Sequence, residues 1–169
     1  KASKLGDAAI LKVLIKILSE NKIKVIKLNT FNPELTLKKG VYTKIKPNLL
    51  EKEDISKGIR TLKKINSYNH TQAVIIRNNK VISRESRKGT KEMIKSVPKS
   101  KIKKGILIKM PKAKQDLRVD LPTIGIDTFK DCNKVGIKGI VVKSNQNIIL
   151  NKEVCIKYAN QNKLFLISI

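Results

Sequence analysis

Strand-length apolar runs alternate with helix-length amphipathic stretches through the second half of the sequence. Helical spacing of apolar residues covers 127–135 and 152–161, and short apolar runs typical of buried strands cover 139–143 and 164–167. Each helix therefore stands between two strands, which is the order that packs helices against a sheet. The pattern predicts a single α/β domain with a mixed β-sheet flanked by helices.

The first half of the chain extends this pattern. Asn78-Asn79 separates two short apolar runs, and because both residues tolerate a positive φ, a tight hairpin is predicted there. The elements predicted in this half are helices at 8–20, 51–66 and 90–95 and strands at 22–28, 72–77, 80–84 and 105–110.

The helix predicted at 8–20 is apolar over most of its circumference. Its polar positions, Lys12, Lys16 and Glu20, form one narrow stripe. Such a helix needs apolar partners on more than one side. It is either a central core helix of this domain or a helix that also packs on a further domain.

The net charge of +25 suggests an anionic partner, but the composition argues against nucleic acid. Only five of the 38 basic residues are arginine, the residue that bidentate recognition of bases and phosphates prefers. The lysines are scattered, and six aromatic residues offer little surface for base stacking. No nucleic acid is expected as a partner, whereas anionic lipids or anionic substrates remain suitable.

Cysteine content and hydropathy indicate the cellular compartment. Cys132 and Cys155 are the only cysteines, and two in a chain of this size predict free, buried thiols in a reducing compartment. No apolar run approaches the roughly 20 residues that a membrane span needs. A cytoplasmic protein is expected.

The strongest polar pattern of the chain lies between Lys109 and Gly125. If residues 115–121 are extended, Asp116, Arg118 and Asp120 share one face, while the leucines and the valine between them share the other. Asp116 and Asp120 would then lie about 13 Å apart, too far to share one metal ion unless the chain bends. The two aspartates would instead have different roles, one binding a cation and the other orienting water or pairing with Arg118. The alternative is an exposed sheet edge with a salt-bridge ladder.

Several further residues near this pattern are candidates for a site. Three lysines, Lys109, Lys112 and Lys114, precede the row formed by Asp116, Arg118 and Asp120. They suit a phosphorylated ligand, whose charge Mg²⁺ would help to neutralise. Glu85, in an otherwise basic strand, is either a site residue or a local charge partner. His70 is the only histidine, so neither a catalytic triad nor a zinc site is indicated.

The whole segment from Lys109 to Gly125, KMPKAKQDLRVDLPTIG, closely resembles the signature of the LpxI family, the UDP-2,3-diacylglucosamine pyrophosphatases of lipid A synthesis. The resemblance extends from about Gly6 to the end of the chain. Other stretches that resemble the family in the same order are 40–43, 72–77, 89–94 and 164–165.

This resemblance implies a Mg²⁺-dependent hydrolase that cleaves UDP-2,3-diacylglucosamine to UMP and 2,3-diacylglucosamine 1-phosphate. Family members carry a Rossmann-like domain before this one, with the substrate between the two. Residues 1–169, which lack an initiator methionine, would be the C-terminal catalytic domain. An acylated substrate also implies transient contact with the surface of the inner membrane, and a homo-oligomer remains open.

The resemblance also assigns roles to residues. The essential aspartate is placed at Asp120, with Asp116 second, and both are assigned to catalysis and to magnesium. The residues assigned to substrate binding are Gln72, Thr90, Lys109, Lys112, Gln115, Arg118 and Thr123.

One departure from the family pattern bears on activity. Where the family tends to have Glu-Gly-Thr-Asp, this chain has Lys88-Gly89-Thr90-Lys91, so two carboxylates are replaced by lysines. If those carboxylates support the metal, the chain would be a relative that binds a nucleotide-sugar or acylated sugar phosphate without hydrolysing it. Otherwise the lysines reflect only the general excess of lysine in this sequence.

Overall fold

The computed structural model describes residues 7–66, 71–113 and 115–169. They form one α/β domain with a six-stranded mixed sheet and flanking helices, which confirms the predicted fold class. The helices are α1 (Asp7–Glu20), α2 (Leu28–Phe31), α3 (Leu49–Asn66), α4 (Gly89–Lys95), α5 (Ile126–Lys134) and α6 (Lys152–Gln161), with a 3₁₀ turn at Pro33–Leu35. The strands are β1 (Gly40–Val41), β2 (Ala73–Arg77), β3 (Lys80–Arg84), β4 (Ile106–Lys109), β5 (Thr123–Ile124), β6 (Gly139–Val142), β7 (Ile148–Ile149) and β8 (Phe165–Ser168).

The main sheet has the strand order β1-β8-β6-β4-β2-β3. β4, β6 and β8 run parallel to one another, and β2 pairs antiparallel with β4. Every residue of the three parallel strands is buried, as is expected of a parallel sheet covered on both faces. β5 and β7 form a separate two-stranded parallel sheet.

Helices cover both faces of the main sheet. Because side chains alternate along a strand, Leu107 and Ile140 pack on one face with α4, α5 and α6, while Ile108 and Val141 pack on the other with α3. Cys132 and Cys155, on α5 and α6, are free and buried as predicted, and burial raises the pKa of both thiols, that of Cys155 to about 11.

Most predicted elements are confirmed to within two residues at each end, but the strand predicted at 22–28 is wrong. Residues 23–27 belong to no regular element, and the side chains of Ile23 and Ile26 are about half exposed. A strand requires a neighbour for its backbone N–H and C=O groups, and no strand of the described residues pairs with this segment.

The core-helix interpretation of α1 is also wrong. None of its described side chains is buried, and Val13 and Ile17 remain about half exposed.

Among the described residues, none of the helices has both the length and the apolar character that a membrane span requires.

The predicted hairpin is confirmed and is held by a buried carboxylate. Asn78 and Asn79 have φ values of 51° and 56°, and they join β2 to β3. Asp54 of α3, only 7% exposed, accepts hydrogen bonds from the backbone N–H of Asn78 at 3.2 Å and of Asn79 at 2.5 Å. The turn and the helix that covers this face of the sheet are thereby joined.

Replacing Asp54 with alanine should destabilise the domain, because two amides of the hairpin turn lose a charged acceptor. We expect Asp54→Ala to lower the free energy of unfolding by about 2 to 3 kcal/mol in urea denaturation. The matched control is Glu53→Ala on the exposed side of the same helix, which should change it by no more than about 0.5 kcal/mol. Equal effects of the two substitutions would contradict this role of Asp54.

Candidate functional site

The candidate site lies where the three parallel strands end. Lys109, Val142 and Ser168 are the last residues of β4, β6 and β8, and they stand in register across the sheet. The antiparallel strand β2 begins at the same end, since Ala73 pairs with Lys109. In open α/β sheets this carboxyl end is where ligands bind. The polar segment that starts at Lys109 therefore leaves the sheet at the end where a ligand is expected to bind.

Four residues meet at this end in a polar group, here called the Glu85 cluster, in which Glu85 and Lys109 are buried and Gln72 and Thr90 are half-buried. The Lys109 ammonium donates to the Thr90 hydroxyl at 2.5 Å, and that hydroxyl donates to Glu85 Oε1 at 2.5 Å. Glu85 Oε2 accepts the backbone N–H of Gln72 at 3.0 Å. Lys109 and Glu85 are 5% and 7% exposed, with 3.8 Å between Nζ and Oε1.

Burial sets the electrostatics of the Glu85 cluster. Removal from water lowers the pKa of Lys109, the Glu85 carboxylate opposes that shift, and the nearby Lys112 adds to it. A carboxylate that close compensates the buried ammonium charge. The side-chain oxygen of Gln72 is also buried, and no hydrogen-bond donor among the described residues contacts it.

Asn147 is a further buried residue at this edge that the sequence did not indicate. It is 1% exposed, donates to the backbone oxygen of Lys109 at 3.3 Å and accepts the backbone N–H of Lys143 at 2.9 Å. It thus joins the ends of β4 and β6. No pattern marks it, because an asparagine in a polar loop resembles any other turn residue.

Residues 115–121 do not adopt the extended conformation that the sequence analysis took as a condition. The backbone oxygen of Asp116 accepts the N–H groups of Val119 at 3.1 Å and Asp120 at 2.9 Å, so the chain turns between the two aspartates. The Asp116 side chain also accepts the N–H of Arg118 at 3.0 Å, a local bond that favours turns over strands. The single polar face, the ~13 Å separation and the salt-bridge ladder on a sheet edge all depended on an extended chain, and they fail with it.

The two aspartates of the turn differ in their partners. Arg118 holds the Asp116 carboxylate with two side-chain nitrogens, Nε at 3.0 Å from Oδ1 and Nη2 at 2.7 Å from Oδ2. These hydrogen bonds lower the pKa of Asp116 to about 2. Asp120 is half-buried, and among the described residues its carboxylate has neither a hydrogen-bond nor a salt-bridge partner. Asp120 is therefore the carboxylate available to a ligand.

The other predicted site residues take local positions in the same segment. The Gln115 side-chain oxygen accepts the backbone N–H of Lys112 at 2.9 Å, and the Thr123 hydroxyl, exposed in β5, donates to the Leu121 oxygen at 3.1 Å. Lys114 and His70 lie outside the described residues. The structure thus brings Thr90 and Lys109 into direct contact, and Glu85 joins them to the backbone N–H of Gln72.

A magnesium ion fits this site only as one shared with a ligand. Among the described residues, no three histidine, cysteine, aspartate or glutamate side chains are grouped to hold a metal. Mg²⁺, however, is usually held by one or two carboxylates and phosphate oxygens and keeps several waters. Asp120, which has no internal partner among the described residues, suits that arrangement, whereas Asp116 would have to share its carboxylate with Arg118.

Comparison with known proteins places these residues within one family. The LpxI C-terminal domain matches residues 38–167, which include the Glu85 cluster and both aspartates. "UDP-2,3-diacylglucosamine pyrophosphatase LpxI" of Caulobacter vibrioides is 26% identical over 176 residues, a match covering 99% of this chain and 63% of the relative. The chain therefore spans somewhat less than two thirds of the length of that protein.

The pairing of Asp116 with Arg118 predicts a measurable titration. Because the folded pKa lies below the ordinary 3.8, the pair stabilises the turn above that value, and the contribution is lost as the pH falls to about 2. Replacing Arg118 with glutamine should raise the pKa of Asp116 towards 3.8, measured by carboxyl-carbon NMR. Arg87→Gln, the same change at an exposed residue, should leave it unaltered. An unchanged Asp116 pKa in Arg118→Gln would contradict the pairing.

Proposed function

Because this chain belongs to the LpxI family through its C-terminal domain, we propose that the protein hydrolyses the pyrophosphate bond of UDP-2,3-diacylglucosamine in lipid A biosynthesis. The products are UMP and 2,3-diacylglucosamine 1-phosphate. The observation that supports this most directly is the Asp120 carboxylate, which has no internal partner among the described residues and lies on the turn that also carries Arg118. The relative from Caulobacter vibrioides bears the name of this activity.

The charge of the diphosphate would be held by the cations of the site. Lys109, fixed in the Glu85 cluster, and Lys112 bind phosphate oxygens, and Thr90 and Gln72 line the same buried group. Gln115 shapes the loop that carries Lys112 by accepting its N–H. Positioning and charge neutralisation contribute most of the catalysis in phosphoryl transfer, so these contacts are central to the mechanism.

The second part of the mechanism belongs to the turn. Asp120 would accept a hydrogen bond from the attacking water and, with Asp116 second, would hold Mg²⁺ together with the diphosphate. Bound Mg²⁺ would neutralise charge that builds up on the phosphate oxygens. Arg118, which holds Asp116 in place, and Thr123, which follows the turn, complete the contacts proposed for the substrate.

Release of UMP from UDP-2,3-diacylglucosamine with Mg²⁺ tests this function in the full-length protein. We expect turnover in the wild type and a loss of about 100-fold or more in Asp120→Asn, which is typical when a group that stabilises the transition state is removed. Asp127→Asn on the exposed start of α5 is the matched control and should keep full activity. Equal turnover in Asp120→Asn and the wild type would contradict the role given to Asp120.

Binding without hydrolysis is the second candidate, and Lys88 and Lys91 favour it. Both are exposed, and they flank Gly89-Thr90 at the start of α4, next to the Glu85 cluster. They add positive charge where the family tends to have carboxylates. A folded wild-type protein that binds the substrate in calorimetry but releases no UMP would favour this candidate over the hydrolase.

The architecture of the complete protein is part of the proposal: a further, N-terminal domain covers α1, and the substrate lies between the two domains. Support comes from the exposed apolar side chains of α1 and from the greater length of the Caulobacter relative. A groove between α1, residues 23–25 and the turn is lined by the cations Lys12, Lys16, Lys24 and Arg118, which suit a diphosphate, and by Glu20, which pairs with Lys16 at 3.8 Å. The acylated substrate and the +25 charge would bring the protein to the inner-membrane surface.

Substitutions on α1 test this packing. Val13→Lys and Ile17→Lys place charges on side chains that are about half exposed in residues 1–169, so they should change the melting temperature of this chain by less than about 2 °C. In the full-length protein the same substitutions should lower the melting temperature by about 4 °C or more, because charges would then be buried at the interface. Equal, small shifts in both proteins would contradict a domain packed on α1.

A further inference from the structure

Glu85 connects four parts of the fold through one carboxylate. It follows β3, its Oε1 accepts the hydroxyl of Thr90 on α4, and its Oε2 accepts the N–H of Gln72 immediately before β2. Through Thr90 it reaches Lys109 at the end of β4. Its backbone is fixed as well, since its N–H donates to the Ala73 oxygen at 2.9 Å. Because both its side chain and its backbone are hydrogen-bonded, Glu85 is held in one position at the ligand-binding end of the sheet.

The direction of the hydrogen bonds determines what each group can still bind. An ionised carboxylate only accepts, so the Thr90 proton points towards Glu85 and a lone pair of the hydroxyl oxygen is left to accept from Lys109. The Lys109 ammonium has three N–H donors, and Thr90 takes one of them. The remaining donors are left for other acceptors. Without Glu85 the hydroxyl proton loses its acceptor, so the Thr90 hydroxyl can rotate and the direction in which its oxygen accepts from Lys109 is no longer fixed.

We propose that Glu85 is a positioning residue, which through Thr90 orients the Lys109 ammonium so that it binds an anionic phosphate oxygen of the substrate. The inference rests on the proposed function and adds a residue to it. Glu85 itself is buried, and each of its oxygens already accepts a hydrogen bond, from Thr90 and from Gln72, so it is assigned no contact with substrate. Among the described residues it is also the only acidic side chain within salt-bridge distance of Lys109.

The charges around Lys109 give the proposal a pH signature. Glu85 raises the pKa of this ammonium, whereas burial and Lys112 lower it. If the carboxylate is removed, the pKa of Lys109 falls, and the ammonium loses its proton at a lower pH than in the wild type. A residue that served only to stabilise the fold would leave the pH profile of a folded enzyme unchanged.

The test is the pH dependence of kcat/KM for UMP release by the full-length wild type, Glu85→Gln and Glu85→Asp. We expect Glu85→Gln to lower kcat/KM by about 10-fold or more, as is typical of residues that orient a binding group, and to move the basic limb of the profile to lower pH. Glu85→Asp, which keeps the charge, should restore the position of that limb. Glu92→Gln is the matched control, the same change at an exposed glutamate paired with Lys95, and should match the wild type.

An unaltered profile in folded Glu85→Gln would overturn the proposal. If Glu85→Gln does not fold, Thr90→Val takes its place, since it removes the connecting hydroxyl at similar volume and keeps Glu85. We expect it to lower kcat/KM in the same way, and unchanged kinetics in a folded Thr90→Val would overturn the proposal.

Binding of inorganic pyrophosphate separates this proposal from the proposed function. If the wild type releases no UMP, hydrolysis is refuted, and calorimetry with pyrophosphate across pH 7 to about 10 then tests Glu85 alone. Binding that weakens at a lower pH in Glu85→Gln than in the wild type would support the positioning role. Binding with the same pH dependence in both proteins, or none in the wild type, would overturn it.

Discussion

The position of β4 in the middle of the sheet is the constraint on which the site depends. β4 pairs parallel with β6 on one side and antiparallel with β2 on the other, so it joins the two halves of the mixed sheet. All four of its residues are buried, and its last residue is Lys109. A strand so placed cannot shift without breaking two ladders of backbone hydrogen bonds. The position of the Lys109 ammonium at the carboxyl end of the sheet is therefore fixed by the fold.

The same constraint anchors the polar segment that follows. Its beginning is tied to β4, where Asn147 binds the Lys109 backbone, and its end is tied to β7, whose Ile148 N–H donates to the Pro122 oxygen at 3.0 Å. Between these anchors lies the turn from Asp116 to Asp120, in which Arg118 is exposed and the other four residues are half-buried. Loops held at both ends by a rigid sheet are the usual carriers of function in α/β domains.

Local patterns predicted this fold well, and the failures share a physical reason. The runs at β4, β6 and β8 and the helical spacing of α3, α5 and α6 are properties of neighbouring residues, so the sequence alone indicates them. The strand predicted at 22–28 failed because pairing depends on a distant partner that no single segment encodes. The extended conformation considered for 115–121 is not observed, because alternation says nothing about a side chain that bonds a nearby backbone N–H, as Asp116 does.

The candidate site was predictable in its residue types and not in its contacts. Lys109 and Thr90 were named from the sequence, but their burial and their link through Glu85 require β2, β3 and β4 to be adjacent. The family assignment is confirmed by the match over residues 38–167. The roles given to individual residues remain predictions, since a family match establishes common ancestry and not the work of each side chain.

The two aspartates show most clearly how structure separates residues that a pattern treats alike. In a chain with a net charge of +25, any exposed carboxylate has cations near it, so charge alone does not select a metal ligand. Asp116 already receives four hydrogen-bond contacts from Arg118, and a metal ion would compete with them. Asp120 faces no such competition among the described residues. Under the proposed function, a cation bound together with a diphosphate would therefore meet Asp120 without breaking an existing pair, whereas at Asp116 it would compete with Arg118.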